Sequence, residues 1–102
     1  MTKFVYVYTG GTMAETPEEQ EKVMQEWGAW FGTLGAAVAE MGEPFGASAT
    51  LSSNGVTDGG ASHASGYSIV TADSLSDATT KAKGCPILTG GGNVEVYETI
   101  AM

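Results

Sequence analysis

Residues 66–86, GYSIVTADSLSDATTKAKGCP, restrict the fold of this chain more than any other stretch. They begin with the run 67–70, whose tyrosine, isoleucine and valine are strand formers. Ser74 follows in a position to cap a helix, and Asp77 lies three residues later, where the acid of a capping box belongs. Gly84 is placed to end that helix in the left-handed conformation. The stretch therefore predicts a strand joined directly to a short helix.

The remaining apolar patterns predict three further strands and a longer helix. Residues 3–9 alternate with both faces apolar or aromatic, residues 45–51 alternate again, and residues 93–100 form the last strand. Thr16 and Pro17 form a strong helix start after the first strand. An apolar stripe at steps of three and four continues this helix to about residue 41. The stripe consists of Val23, Trp27, Trp30, Leu34, Val38 and Met41.

The predicted order of elements is β-α-β-β-α-β, in a single domain that covers residues 1–102. The turn-forming pairs Asn54-Gly55 and Asp58-Gly59 favour a hairpin that leads into the strand at residue 66. This order is that of the ferredoxin-like split βαβ arrangement, with one antiparallel sheet and two helices on one face. We therefore expect an α+β fold of this kind.

Small residues follow one flank of the first predicted helix, at Gly28, Gly32, Gly35 and Ala39. Each glycine costs a helix about 1 kcal/mol relative to alanine. Their recurrence predicts that a strand or a partner helix approaches this flank closely. The alternative is a ligand that lies against the backbone.

Aromatic side chains are expected to crowd the sheet face that two helices on one side would leave bare. Burying apolar surface contributes about 25 cal/mol per Å², so an exposed face of this kind would forgo several kcal/mol. We therefore expect a symmetric homodimer, either sheet facing sheet or sheet edges joined around a shared barrel. The residues assigned to this face are Phe4, Tyr6, Tyr8 and Tyr97, with either Tyr67 and Ile69 or Val70.

The composition excludes several classes of function. The net charge is −8 and there is no arginine, so nucleic acids and anionic membrane surfaces are not expected partners. No apolar run approaches the roughly 20 residues that span a bilayer, and no secretory signal is recognisable, so we expect a cytoplasmic protein. Cys85 is the single cysteine and is expected to be a buried structural thiol. No metal or other cofactor is indicated.

Two hypotheses about chemistry remain open, with a third outcome beside them. The first is a small neutral or apolar ligand, bound in a pocket lined by Tyr8, Trp27, Trp30 and Tyr67. The second is a lyase or isomerase that uses the only histidine, His63, with Glu40 or Asp58 for proton transfer. The third is a structural or interaction module without a ligand.

The stretch 66–88, followed by a glycine run and NVEVYETI, resembles the C-terminal half of YCII-related proteins, also named the DGPF-domain family. The segment MQEWGAWFGTLGAAVAEMGEPF resembles the tryptophan-bearing helix of that family. The resemblance covers most of the chain and implies a ferredoxin-like fold and a dimeric α/β-barrel assembly. One branch carries a histidine in the first helix and an aspartate as an acid/base pair. Here Trp30 or Phe31 stands at the position of that histidine, and DGGASHAS replaces the DGPF-like segment.

Overall fold

The strands and helices of this chain form a mixed α+β fold, seen in a computed structural model that describes residues 2–10, 15–60 and 63–100. Two short 3-10 turns, Gly35–Ala37 and Pro86–Leu88, follow the two helices. In chain order the elements are β1 Thr2–Thr9, α1 Pro17–Leu34, β2 Val38–Glu40, β3 Ala49–Ser52, β4 Gly55–Asp58, β5 Ala64–Ala72, α2 Leu75–Ala82 and β6 Asn93–Glu98.

A four-stranded sheet in the order β2-β5-β1-β6 forms the centre of the fold, and each neighbouring pair is antiparallel. The pairing of β1 with β5 runs from Thr2 opposite Ala72 to Thr9 opposite Ala64. Strands β3 and β4 form a separate two-stranded hairpin between β2 and β5 in the chain. The predicted order did not include this extra hairpin.

Both helices pack on the same face of the sheet. Tyr6 of β1 stacks on Trp30 of α1, with ring centroids 6.0 Å apart, and its hydroxyl donates to the carbonyl of Ala78 in α2. Tyr8 contacts Trp30 edge-on from the same strand. The buried core consists of Phe4, Tyr6, Tyr8, Trp30, Val70, Ala72, Ala78, Ala82 and Cys85.

The expectation that Phe4, Tyr6 and Tyr8 face away from the helices is wrong, because all three are buried beneath them. Their strand alternates aromatic residues with valines, so either set could have faced the helices on periodicity alone. The hydroxyls of Tyr6 and Tyr8 find partners on the helix side, at Ala78 and Ser68. The half-buried residues of the opposite face are Val5 and Val7, with Tyr67 and Ile69 beside them, and Tyr97 is exposed there.

The first helix ends at Leu34 rather than near residue 41, because Gly35 adopts φ 55° and ψ −125°, a backbone conformation that glycine tolerates and a helix cannot continue through. Residues beyond it turn back to the sheet, where β2 pairs with β5 at Val38. Residues 45–51 were predicted as the second strand of the sheet. Only their end forms a strand, within β3, and that strand lies in the hairpin.

The second helix begins as predicted and ends differently. The Ser74 hydroxyl accepts from the Asp77 amide at 3.0 Å, and the Asp77 carboxylate accepts from the Asp73 amide at 3.1 Å. Gly84 does not supply a left-handed stop, since its φ is not positive. It instead makes room for the Trp30 ring, because an added Cβ would lie 3.1 Å from Trp30 Cδ1.

The helix flank with Gly28 and Gly32 has no close neighbour among the described residues. A Cβ added at either position would meet no atom within 4 Å. The predicted close approach of another segment of the same chain is therefore not found in the described part of the structure. This flank remains available to a ligand or to a second copy.

Among the described glycines, Gly42 is the one where a side chain is least tolerated, because its φ is +76° and an added Cβ would lie 1.7 Å from the Tyr67 carbonyl oxygen. We expect Gly42→Ala to lower the free energy of unfolding by about 2–4 kcal/mol through strain and the forced movement of β5. Gly46→Ala is the control, since nothing lies within 4 Å of its Cβ, and we expect a change within about 0.5 kcal/mol. Urea unfolding followed by tryptophan fluorescence measures both. Equal midpoints for the two variants would contradict this account of Gly42.

Candidate functional site

An apolar cavity of about 580 Å³ lies between α1, the beginning of β5 and the loop after β2. Helix α1 supplies one wall because its residues at spacings of three and four face the sheet. The loop after β2 supplies the opposite wall. The larger residues around the cavity are Tyr8, Met24, Trp27, Phe31, Met41 and Tyr67.

Aromatic rings fix the shape of the cavity on its α1 side. Trp27 meets Tyr8 edge-on at a centroid distance of 4.9 Å, and Phe31 lies 6.0 Å from Trp27. Gly28 follows Trp27 in the wall and leaves open space where any other residue would place a Cβ. The absence of a side chain at Gly28 therefore contributes directly to the volume of the cavity.

A short chain of hydrogen bonds crosses the wall of the cavity from β1 through β5 to the residue after β2. The Tyr8 hydroxyl donates to Ser68 Oγ at 2.7 Å, and Ser68 Oγ donates to the Met41 carbonyl at 2.6 Å. Ser68 is fully buried, so this chain satisfies a polar group that would otherwise cost about 1–3 kcal/mol. Burial raises the pKa of Tyr8 above its ordinary value, and the phenol is therefore neutral at neutral pH.

Three of the four residues predicted to line a pocket, Tyr8, Trp27 and Tyr67, lie around this cavity. The fourth, Trp30, does not, because its ring is buried in the core and its Nε1 donates to the Lys81 carbonyl at 3.1 Å. Ser68 was not selected from the sequence. Residues of β5 alternate between buried and half-buried, and Ser68 lies on the buried face. A serine there requires a hydrogen-bond partner, and that requirement could have indicated a polar group in the cavity wall.

The residues considered for proton transfer do not line the cavity. His63 is exposed in a left-handed conformation with φ 54°, and its neighbour Ser62 lies outside the described residues. Glu40 accepts a hydrogen bond of 2.7 Å from the Tyr67 hydroxyl. Asp58 is exposed at the end of β4. The structure thus brings neither carboxylate together with His63 at this cavity.

Cys85 is buried in the core, and burial raises the pKa of its thiol to about 11. A thiol in this state is not a nucleophile at neutral pH. Residues 2–10, 15–60 and 63–100 contain no group of three or more histidine, cysteine, aspartate or glutamate side chains placed to hold a metal ion. None of the helices in these ranges is long and apolar enough to cross a membrane.

Comparison with known proteins does not identify a relative. No protein-family model matches the sequence. No curated protein and no solved structure matches it significantly either.

Burial of the β1 tyrosines predicts a loss of stability in alkaline solution. The pKa of Tyr6 is raised to about 12, and that of Tyr8 is raised as well, chiefly by burial in both cases. Unfolded tyrosine ionises near pH 10, so the unfolded state loses protons first and stability falls as the pH rises above about 10. We expect Tyr8→Phe to flatten this fall by up to about 1.4 kcal/mol per pH unit, the limit reached above about pH 11 where unfolded tyrosine is fully ionised.

The free energy of unfolding, measured in urea between about pH 9.5 and 11.5, provides the test, since this window lies around the unfolded tyrosine pKa. Tyr97→Phe is the comparison variant. The hydrogen bond to Glu95 raises the pKa of Tyr97 as well, but Tyr97 is 52% exposed, so we expect this variant to flatten the fall less than Tyr8→Phe does. A wild-type slope that Tyr8→Phe leaves unchanged would show that Tyr8 ionises equally in both states.

Proposed function

We propose that this chain binds a small, neutral and largely apolar molecule in the cavity beside α1. The observation that carries the proposal is a preformed space of about 580 Å³ with aromatic and methionine walls. Ligand sites of soluble proteins typically have this size, with mostly apolar walls and few polar groups. The Tyr8–Ser68 pair supplies such a polar group within the wall.

The charge of the chain favours a neutral ligand over an anion. The net charge is −8, there is no arginine, and Glu43 is the charged residue among those around the cavity. An anionic ligand would approach a negative potential and would find no guanidinium to pair with its carboxylate or phosphate.

The two other hypotheses receive less support from the structure. Proton transfer by His63 lacks a supporting observation, since His63 is exposed and lies outside the cavity wall. A structural module without a ligand would not require Gly28 at a helical position, where glycine costs about 1 kcal/mol relative to alanine. Gly28 instead provides space within the cavity.

We also propose that two copies associate through the sheet face opposite the helices. Support comes from the half-buried Val5, Val7 and Ile69 on that face and from the exposed Tyr97 beside them. The β2-β5-β1-β6 order favours a ferredoxin-like arrangement with an inserted hairpin. Membership of the YCII-related family, assembly as a dimeric α/β barrel and a cytoplasmic location belong to the same proposal.

Filling the cavity from α1 should abolish binding. We expect Gly28→Leu to weaken binding of the neutral fluorescent probe N-phenyl-1-naphthylamine by at least about tenfold, because the new side chain would occupy the ligand volume. Gly32→Leu is a matched control one turn further along α1. Gly32 also has open space around its Cβ and does not line the cavity.

Fluorescence titration of the probe gives the three dissociation constants. Unfolding midpoints of both variants at or above the wild-type value would confirm that the helix is intact, since leucine is a better helix former than glycine. Absence of probe binding to the wild-type protein, or equal weakening by both variants, would contradict the proposed binding site.

The association proposal makes a separate prediction for sedimentation equilibrium. We expect a dimer whose dissociation constant rises at least about tenfold in Tyr97→Lys, because a charge would enter the apolar contact. Leu75→Lys is the control, since Leu75 lies on α2 and is 50% exposed, close to the 52% of Tyr97. A wild-type protein that sediments as a monomer would contradict the association.

A further inference from the structure

Each hydroxyl group of the residues around the cavity donates its proton to an acceptor within the protein. Tyr8 donates to Ser68 Oγ, and Ser68 donates to the Met41 carbonyl. Ser65 Oγ donates to the Tyr8 backbone carbonyl at 3.1 Å. The Tyr67 hydroxyl donates to Glu40 at 2.7 Å. The hydroxyl oxygens of these lining residues can therefore accept a hydrogen bond from a ligand but cannot donate one.

The direction of the Tyr8–Ser68–Met41 chain is fixed by its last member. A backbone carbonyl can only accept, so the Ser68 proton must point to Met41. Ser68 Oγ is then an acceptor toward Tyr8, and the Tyr8 proton must point to Ser68. Reversal of this chain would leave the contact between the buried Ser68 Oγ and the Met41 carbonyl without a proton, at a cost of about 1–3 kcal/mol.

We propose that the ligand of this cavity carries a hydrogen-bond donor, a hydroxyl or an N–H on an otherwise apolar or aromatic body, and donates it to the Tyr8 phenol oxygen. This inference rests on the proposed binding function and narrows its ligand class. A ketone, ether or carboxylate would place its lone pairs against those of Tyr8 and Ser68. Glu43, the charged residue in the wall, adds another acceptor.

One lining side chain could donate a hydrogen bond to a ligand instead of accepting one. Trp27 carries an indole N–H, which donates and cannot accept. No buried side-chain nitrogen or oxygen of the described residues lacks a partner, so an unpaired Trp27 Nε1 is one that solvent reaches. Water therefore competes with a ligand acceptor for the Trp27 N–H, whereas the Tyr8 and Ser68 hydroxyls already donate to partners within the protein.

Three naphthalene derivatives of similar size distinguish a site that prefers hydrogen-bond donors from one that prefers hydrogen-bond acceptors. They are 2-naphthol, which donates, and 2-methoxynaphthalene and 2-acetonaphthone, which only accept. Each competes with N-phenyl-1-naphthylamine, and displacement of its fluorescence gives the dissociation constant. We expect 2-naphthol to bind about three- to tenfold more tightly than either acceptor, the range that one net hydrogen bond supplies.

Two matched tyrosine variants assign this preference to its residue. Tyr8→Phe should reduce the preference for 2-naphthol to within about twofold, since the main acceptor is removed. Tyr6→Phe removes a buried hydroxyl two residues earlier on the same face of β1, and Tyr6 does not line the cavity. That variant should keep the wild-type preference.

The possible outcomes test the preference for a donor and the binding function separately. Tighter binding of 2-acetonaphthone than of 2-naphthol overturns the inference and points to a donor in the wall, such as the Trp27 N–H. A preference for 2-naphthol that persists in Tyr8→Phe also overturns it. Displacement by all three compounds without discrimination rejects the donor while the binding function stands. Failure of the fluorescent probe itself to bind rejects the binding function and the inference that rests on it.

Discussion

The position of α1 depends on one side chain, Trp30, which is the only residue of this helix that the structure buries. Its ring stacks on Tyr6, meets Tyr8 edge-on and lies against Gly84, while its Nε1 donates to the Lys81 carbonyl at the end of α2. These contacts join the first helix to the central strand and to the second helix. Because loss of a buried tryptophan costs about 3–5 kcal/mol, the loss of Trp30 would remove the deepest of the contacts that hold α1 on the sheet, beside those of Trp27, Phe31 and Leu34.

The cavity is a consequence of this attachment near one end of the helix. The C-terminal half of α1 is held by Trp30, whereas Met24 in the N-terminal half is largely exposed. Between them, Gly28 leaves a gap that the rings of Trp27 and Phe31 border without filling. A helix fully packed along its length would have left no such space, so the ligand site and the sparse packing of α1 have the same physical origin.

Helix beginnings could be predicted from the sequence because their signals lie within a few residues. The secondary structure of segments that pair with distant strands could not be predicted in this way. The Ser74 cap and the Thr16-Pro17 start identified both helix beginnings, because capping is settled within a few residues. Residues 38–40 continued the apolar stripe of a helix, yet they pair with β5, since Gly35 ends the helix and the edge of β5 provides hydrogen bonds. A short window of sequence contains neither of those competing contacts.

The candidate site shows the same division between local and long-range information. Trp27 and Tyr8 were recognised as possible lining residues by type alone, but so was Trp30, which is core. Of the two α1 tryptophans, Trp30 packs against Gly84 and is buried, whereas Trp27 stays half-buried at the cavity, a difference that their similar chemistry does not reveal. The choice of sheet face for the β1 tyrosines depended on partners far along the chain, at Ser68 and Ala78.

The β3–β4 hairpin stands apart from the four-stranded sheet, and its tip exposes Leu51 and Val56 at 78% and 67%. A hydrogen bond of 2.9 Å from the Gly59 amide to the Ser48 carbonyl closes its base. This hydrogen bond separates the β3–β4 pairing from the pairing of β2 with β5. Residues can therefore be added or removed in pairs at the Ser53-Asn54 turn without altering the register of the main strands. The appendage is thus the part of this fold most open to evolutionary variation in length.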